Sequence, residues 1–345
     1  MKTKSLPFFS VVIPVLNEER HIGTVLASLI VQLQDMDAEI LVMDGGSSDA
    51  TRAIVADVAA TNAMVRWIDN PGRTQSAACN LAAETLAPQS RILLRVDAHA
   101  AYPRDFVFQV IDALRTTGAT SVVVPMRTVG IGAQQRAIAA AQNSRLGNGG
   151  SSHRRIGESR FVDHGHHAAF DLDFFRSVGG YDRNFTHNED GEFDVRGLRA
   201  GGRVWLCSEA VIDYFPRESL SALRRQYVRH GRGRARTTRK HGLRLKARQA
   251  LPLLLLPVTA IGLLTPVVPW VGIPGGIYLC SSFLWGTVAA IKQRDPALLL
   301  MGPAAVVMHL SWAIGFLDGW LRARPGRPMP AQRALDDTQQ AEANR

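Results

Sequence analysis

Cysteine is scarce: Cys79, Cys207 and Cys280 are the only three in 345 residues and lie far apart. That excludes a disulfide-built scaffold and fits a reducing compartment. No Gly-x-Gly-x-x-Gly follows the first strand-like run, which argues against a dinucleotide-binding turn. No secretory leader is expected at the start of the sequence. The apolar run at 8–15 is short and leads straight into Glu18, Glu19 and Arg20, so the N-terminal part is expected to stay in the cytoplasm. No internal repeat is present. The largest absence is of charge: residues 251–291 contain no Asp, Glu, Lys or Arg at all. An uncharged run of that length does not suit an ordinary soluble domain.

Charge is instead concentrated just before that run. The formal net charge is +10. Residues 217–248 hold 12 Lys/Arg against one acid, Glu218, and the rest of the chain is close to neutral. This is a near-neutral protein with one cationic segment. An RNA-binding arm would interleave aromatics with the arginines, and only Tyr227 does so here, so no nucleic-acid partner is expected. A basic stretch beside apolar spans fits the anionic face of a cytoplasmic membrane.

The first 125 residues alternate strand-like and helix-like patterns. Strands are expected at 8–13, 39–43, 64–67, 91–96 and 121–124, the first ended by Pro14. Helices are expected at 19–31, 49–60, 76–86 and 104–115. Such alternation predicts an α/β fold with a mostly parallel sheet covered by helices, and ligands in such sheets bind beyond the C-terminal strand ends. Residues 126–170, rich in Gly, Asn, Ser and His, carry no clear pattern. A helix at 191–200, a strand at 203–206 and a long cationic helix at 220–239 follow. Residues 251–270, 273–291 and 297–321 are each about a bilayer span in length, but the prolines at 252, 257, 266 and 269 leave the alternative of a two-span anchor whose first stretch is kinked or lies at the surface. The expected divisions are 1–215, a catalytic domain; 216–250, a basic juxtamembrane arm; 251–321, a membrane region of two to three apolar helices; and 322–345, a polar tail.

Chemistry-bearing residues gather at the expected strand ends. Pro14-Val15-Leu16-Asn17-Glu18 closes the first strand, and Asn17 can cap the following helix. Asp44-Gly45-Gly46-Ser47-Ser48-Asp49 closes the second. The Asp44 carboxylate can accept from a base or a ribose hydroxyl, and the glycines allow close backbone approach. Arg73, in Asn70-Pro71-Gly72-Arg73, can pair with phosphate. Each of these segments is also explained by a capped turn alone. In Arg95-Val96-Asp97-Ala98-His99, alternation puts Asp97 and His99 on one side, a carboxylate and an imidazole suited to a divalent ion. A cap and a polar loop residue explain that pair equally well. In His187-Asn188-Glu189-Asp190-Gly191-Glu192-Phe193-Asp194, acids open a helix and complement its dipole. One of Glu189 or Asp190 could face a cleft as a general base. His164, His166 and His167 lie close to His153 and Asp163, without cysteine and without a structural zinc spacing.

Taken in order, these segments resemble the family-2 glycosyltransferases over roughly residues 8–215. Within them, Arg-Val-Asp-Ala-His at 95–99, Gly-His-His-Ala-Ala-Phe at 165–170 and Gln-Tyr-Val-Arg-His-Gly-Arg-Gly at 226–233 are similar to glucosyltransferases of succinoglycan-type exopolysaccharide assembly. The resemblance implies a GT-A fold, a nucleotide-sugar donor, expected to be UDP-linked, and inversion at the anomeric carbon. It implies that Asp44 contacts the nucleoside, with Pro14, Asn17, Glu18 and Arg73 around the same pocket. Asp97 and His99 would hold Mn²⁺ or Mg²⁺ against the diphosphate. Asp190 would take the acceptor proton, with Glu189 beside it. His166, His167, Gln226, Arg229 and His230 would face the acceptor or its lipid. Two departures stand out. His99 occupies the place of the usual second Asp. The Gln-x-x-Arg-Trp signature of processive synthases ends here in His230, which favours adding one sugar over polymerising. The expected acceptor is a lipid-linked glycan at the cytoplasmic membrane. A simple polyprenyl phosphate or glycolipid acceptor, and a non-catalytic membrane scaffold, are the alternatives.

Overall fold

The computed structural model describes residues 6–149 and 157–322. The first half runs β1 (Phe9–Val15), α1 (Ile22–Gln32), β2 (Ala38–Asp44), α2 (Thr51–Thr61), β3 (Val65–Asp69), α3 (Gln75–Thr85), β4 (Ile92–Arg95), β5 (Ala100–Ala101), α4 (Phe106–Thr117), β6 (Ser121–Val124) and β7 (Met126–Thr128). There follow α5 (Ala133–Asn143), α6 (Arg145–Asn148), β8 (Arg160–Val162), β9 (His166–Asp171), α7 (Leu172–Ser177), α8 (Glu189–Arg199), β10 (Val204–Leu206) and β11 (Ile212–Tyr214). The C-terminal helices are α9 (Leu220–His241), α10 (Ala247–Gly262), α11 (Ile273–Gln293) and α12 (Met301–Arg322). His153 and residues 323–345, the expected tail, lie outside the described residues.

Eight strands form one sheet in the order β3-β2-β1-β4-β9-β6-β10-β8, and β5-β11-β7 form a small second sheet. β9 runs antiparallel to β4 and β6, β8 runs antiparallel to β10, and the remaining pairs of the large sheet are parallel. This is the mixed, mostly parallel α/β sheet of a GT-A fold. Both faces are covered, so neighbouring residues of one strand enter different cores. Val11, Ile13, Ile40, Val42 and Leu94 pack under α1, α2 and α4. Val12, Leu41, Met43, Leu93 and Phe170 pack against Ala78, Cys79, Phe175, Tyr181 and Phe193 on the other side. The chain builds outward from β1 through β2 and β3, then returns to place β4 on the opposite flank of β1. That switch point opens a crevice beyond the ends of β1 and β4.

Three expectations change. Pro14 does not end the first strand: it pairs with Met43, and the ladder runs on to Val15 opposite Asp44. Asp97 and His99 lie past the strand end, as expected, but in the loop between β4 and β5, where the alternation invoked for them does not apply. The expected span at 251–270 is not one helix: α10 runs through Pro252 and Pro257 and stops at Gly262. Among the described residues, two helical segments, Pro269–Gln293 and Pro296–Arg322, are long and apolar enough to cross a membrane.

The cationic helix α9 starts where Ser219 caps it and ends at Gly242, whose φ of +63° suits glycine. It packs lengthwise on α12. A Cβ at Gly315 would sit 2.1 Å from the Val228 carbonyl oxygen, and one at Gly231 2.2 Å from that of Trp312. Glycine is what allows the two backbones to meet.

Candidate active site

The loops after β1 and β2 interlock. Asn17, at φ +57°, accepts from the Ser48 N–H at 2.8 Å, and its own N–H donates to Ser47 Oγ at 2.9 Å. The Glu18 N–H donates to Thr51 Oγ1 at 2.8 Å. Asp44 is buried and accepts from the N–H groups of Gly46 and Ser47, each at 3.0 Å, and from Ser47 Oγ at 2.5 Å. Arg73, exposed and at φ +58°, lays its guanidinium over Gly46, where a Cβ would stand 3.2 Å from Nη2. Asn17, Glu18, Asp44 and Arg73 are thus brought together at adjacent strand ends, with the Asp44 carboxylate holding its own turn. Pro14 sits one residue deeper, in β1.

Across the crevice, Arg95 is the hub. Its side chain is 1% exposed. Nη1 donates to Asp190 Oδ1 at 2.7 Å and to the Tyr181 hydroxyl at 2.8 Å, while Nη2 lies 3.3 Å from Asp190 Oδ2 and 3.2 Å from His166 Nδ1. The Tyr181 hydroxyl in turn donates to Asp190 at 2.6 Å. With its amide turned to suit its donors, Gln75 accepts from Arg95 as well, at 3.0 and 3.1 Å. Asp97 stands 3.9 Å from Arg95 Nε and 3.4 Å from His166 Nε2. Past it, His99 Nδ1 meets Glu18 Oε1 at 3.0 Å, which closes the crevice between the β1 and β4 loops.

The neighbouring acids α8 supplies differ sharply. Burial opposes ionisation of Asp190, but the Arg95 charge and His167 override it and hold its carboxyl well below the usual range. Glu189 has no such partner. Burial, then the Asp190 charge, pushes it up to about 7. Burial and then Arg95 lower His166 to about 4, so at neutral pH its imidazole is uncharged.

One cavity of about 1170 Å³ joins these groups to the C-terminal helices. Gln75, Asp97, His99, His166, Glu189 and Asp190 line one part of it. Arg145, Gln226, His230 and Arg234 line it as well. Leu251, Leu254, Leu255, Met308 and Trp312 form its apolar part. On α9, Gln226, His230 and Arg234 recur every four residues and share the face towards the cavity.

Two expected acceptor residues lie elsewhere. His167 alternates with His166 along β9 and so points into the core. It is fully buried, and its Nε2 meets Asp194 Oδ1 at 2.7 Å. Arg229 lies on another face of α9, around a separate surface hollow with Arg224, Arg225 and Arg232. His164, which lines the cavity, binds the other oxygen of Asp194 at 2.6 Å. Burial would lower its pKa, but the Asp194 bond and charge raise it.

Among the described residues, no group of three His, Cys, Asp or Glu side chains could hold a metal ion by itself. Asp97 and His99 fit a different kind of site. A small hard cation takes one or two protein ligands and completes its shell with phosphate oxygens. This donor set suits an ion that is shared with a diphosphate.

Residues 10–179 match the family described as Glycosyl transferase family 2. The chain is 43% identical over 307 residues to the succinoglycan biosynthesis protein ExoA of Rhizobium meliloti (strain 1021), across 89% of this chain and 93% of that protein. The chain belongs to glycosyltransferase family 2. This family-2 enzyme is also 21% identical over 327 residues to the dolichyl N-acetyl-alpha-D-glucosaminyl phosphate 3-beta-D-2,3-diacetamido-2,3-dideoxy-beta-D-glucuronosyltransferase of Methanococcus voltae, across 91% of this chain and 98% of that protein. The mannosyltransferase PcManGT from Pyrobaculum calidifontis, solved in complex with GDP-Man and Mn²⁺, shares its fold. Its TM-score is 0.56 at 19% identity, covering 93% of this chain and 88% of that one.

Sequence reasoning missed the Arg95 hub, Tyr181, Gln75 and the His164–Asp194 pair. Arg95 did leave a signal, as the one charge in the otherwise apolar run Ile92-Leu93-Leu94-Arg95-Val96. Tyr181 and Gln75 left none, because only the tertiary fold brings them to it.

Proposed function

We propose that this glycosyltransferase transfers one sugar, with inversion, from a UDP-linked donor to a lipid-linked glycan in the assembly of an exported polysaccharide. It would work at the cytoplasmic face of the inner membrane. The observation that carries this reading is the single cavity joining the crevice carboxylates to the apolar wall of Leu251, Leu254 and Trp312. A glycan on a lipid carrier needs both ends of such a cavity. The relatives support the same reading: one is named for succinoglycan biosynthesis, the other for a dolichyl phosphate-linked sugar.

On this reading, Asn17, Glu18, Asp44 and Arg73 hold the nucleotide beyond β1 and β2. Asp97 and His99 hold a divalent ion, Mn²⁺ or Mg²⁺, which when bound supplies positive charge to the leaving diphosphate. The division between the two acids departs from the one the family resemblance implies. Asp190 is locked by Arg95 and Tyr181 and stays ionised. Glu189 lines the cavity with a raised pKa near working pH, as a general base requires. Glu189 therefore takes the proton from the acceptor hydroxyl as that oxygen attacks the anomeric carbon. Asp190 and Arg95 fix the start of α8 and so position Glu189.

Donor hydrolysis and transfer by detergent-solubilised protein test this. A nucleotide-sugar panel is assayed with Mn²⁺ and with EDTA, beside Asp97→Ala. Metal-dependent nucleotide release, lost in the variant, is the expected result. Silence across the panel with acceptor membranes present would favour a non-catalytic scaffold.

A further inference from the structure

Both feet of the hairpin made by α10 and α11 are tied to the catalytic domain. Lys246, just before α10, meets Asp163 of the loop before β9 at 2.6 Å. Asp295, just past α11, receives two bonds from Arg136 of α5, at 2.8 and 3.2 Å. The segment leaves the domain and returns to it.

Its turn, residues 263–272, is built for hydrocarbon. It has no charged residue. Leu263, Val267 and Trp270 are 77%, 82% and 71% exposed. Yet the N–H groups of Leu263, Leu264, Thr265, Val267, Val268 and Val271 all donate to carbonyls within residues 260–268. Pro266 and Pro269 have no N–H to satisfy. The Thr265 hydroxyl bonds back to the Gly262 carbonyl at 2.5 Å. A turn in water has no need to close its backbone donors on itself, whereas one in lipid does. The first limb is also short. The 16 residues of α10 reach about 24 Å at 1.5 Å per residue, less than a hydrocarbon core of about 30 Å.

The helix α12 passes the length test for a span, but half of its apolar window is buried. Its neighbour is α9, joined at Gly231, Gly315 and Gly319, and Arg239 donates to the Trp320 carbonyl. Were α12 to cross a bilayer, the exposed Arg225, Arg229, Arg232 and Arg236 of α9 would be carried into it. Charges at that depth are strongly disfavoured.

We infer that α10, its turn and α11 form a re-entrant hairpin that enters the bilayer at a tilt from the catalytic domain's side and returns to that side. Among the described residues no segment crosses the bilayer. α12 lies along the surface, so its C-terminal end stays with the catalytic domain. The inference rests on the membrane attachment proposed above. It replaces the two or three crossings that hydropathy alone gives. It also opens the apolar end of the cavity sideways into the leaflet on that side, where a lipid-linked acceptor resides.

Labelling of single cysteines with a membrane-impermeant maleimide tests it, in right-side-out and inverted vesicles. The full chain carries Cys280→Ala, and the reporters are Arg104→Cys on the catalytic domain, Val267→Cys in the turn and Ala341→Cys near the C-terminus. Arg104→Cys and Ala341→Cys should react from one and the same side. Val267→Cys should react from neither side until detergent is added. Val267→Cys reacting in intact vesicles from either side overturns the inserted turn. Ala341→Cys reacting from the side opposite to Arg104→Cys overturns the surface placement of α12. Alkaline carbonate extraction separates the deeper failure: release of the protein without detergent removes membrane attachment itself.

Discussion

The Arg95 guanidinium and the Asp190 carboxylate meet at 2.7 Å although 95 positions separate them in the chain. The contact ties the end of β4 to the first turn of α8, and it fixes which of two adjacent acids is free to accept a proton. An ion pair with one member 1% exposed is a structural commitment. Removing either partner leaves an uncompensated charge in a poorly solvated place.

The two acids should therefore fail differently. Asp190→Asn is expected to lower stability by about 3–5 kcal/mol, because Arg95 loses its counter-charge. Glu189→Gln is expected to unfold no earlier than the parent, and later at neutral pH and above, while reducing transfer by roughly 10²–10⁴-fold, the usual worth of a general base. Thermal unfolding and initial rates on both variants decide it. Near-normal transfer by Glu189→Gln would return the base role to Asp190.

The pH dependence follows from the same residue. Glu189 is raised from 4.5 to about 7. The rate should fall roughly tenfold for each pH unit below 7, as the base becomes protonated. Stability moves the opposite way. Between 4.5 and 7 the native state keeps a proton that the unfolded chain has released, so this group's contribution declines as pH rises through that window and is level above it. Glu189→Gln removes the decline, and relative to the parent it should be more stable at pH 8 than at pH 5. Unfolding curves at the two pH values check this, and an unchanged difference between parent and variant would count against the raised pKa.

Much of this was legible in the chain because a parallel sheet buried on both faces writes itself as apolar runs, and its strand ends as Asn, Asp and Gly. Asp44 and Asp97 could be picked out for that reason, and Glu189 as one of the acids that open a helix. The fate of individual side chains was less visible. His166 and His167 are neighbours in sequence, and only the strand register sends one to the cavity and the other to Asp194. The stretch at 251–270 was legible in part: its four prolines mark a kinked segment, and the helix does stop short, but at Gly262, beyond Pro252 and Pro257, a point hydropathy does not register.

The arginines of α9 are not equivalent either. Neutralising Arg232, Arg234 and Arg236 together would be the test from sequence alone. In the structure, Arg232 pairs with Asp318 and Arg236 donates to the Asn184 carbonyl, while Arg234 lines the cavity shared by the carboxylates and the apolar wall. Arg234→Gln should raise KM for a lipid-linked acceptor about tenfold or more, the loss of one charge-assisted contact, and leave donor hydrolysis unchanged. Arg232→Gln should change the acceptor KM by less than about twofold, as for an exposed ion pair. Equal effects from the two variants would point to general membrane attraction instead of a cavity contact.

The glycine contacts between α9 and α12 give the last prediction. A Cβ at Gly315 would meet the Val228 carbonyl oxygen at 2.1 Å and its carbon at 2.7 Å. These are backbone atoms of a long helix, so no side-chain rotation relieves the overlap and the helices must separate. Gly315→Ala and Gly231→Ala are each expected to lower stability in detergent by about 1–3 kcal/mol. Gly276→Ala, on α11 with nothing within 4 Å of the added Cβ, is the matched control and should be neutral or slightly stabilising. The catalytic effect should be selective. Met308 and Trp312 of α12 line the acceptor half of the cavity, whereas Asp97, His99 and Glu189 come from the sheet and α8. Transfer to a lipid-linked acceptor should therefore fall more than donor hydrolysis in both close-contact variants. Parallel loss of the two activities would mean that α12 supports the whole fold and has no particular part in shaping the acceptor end.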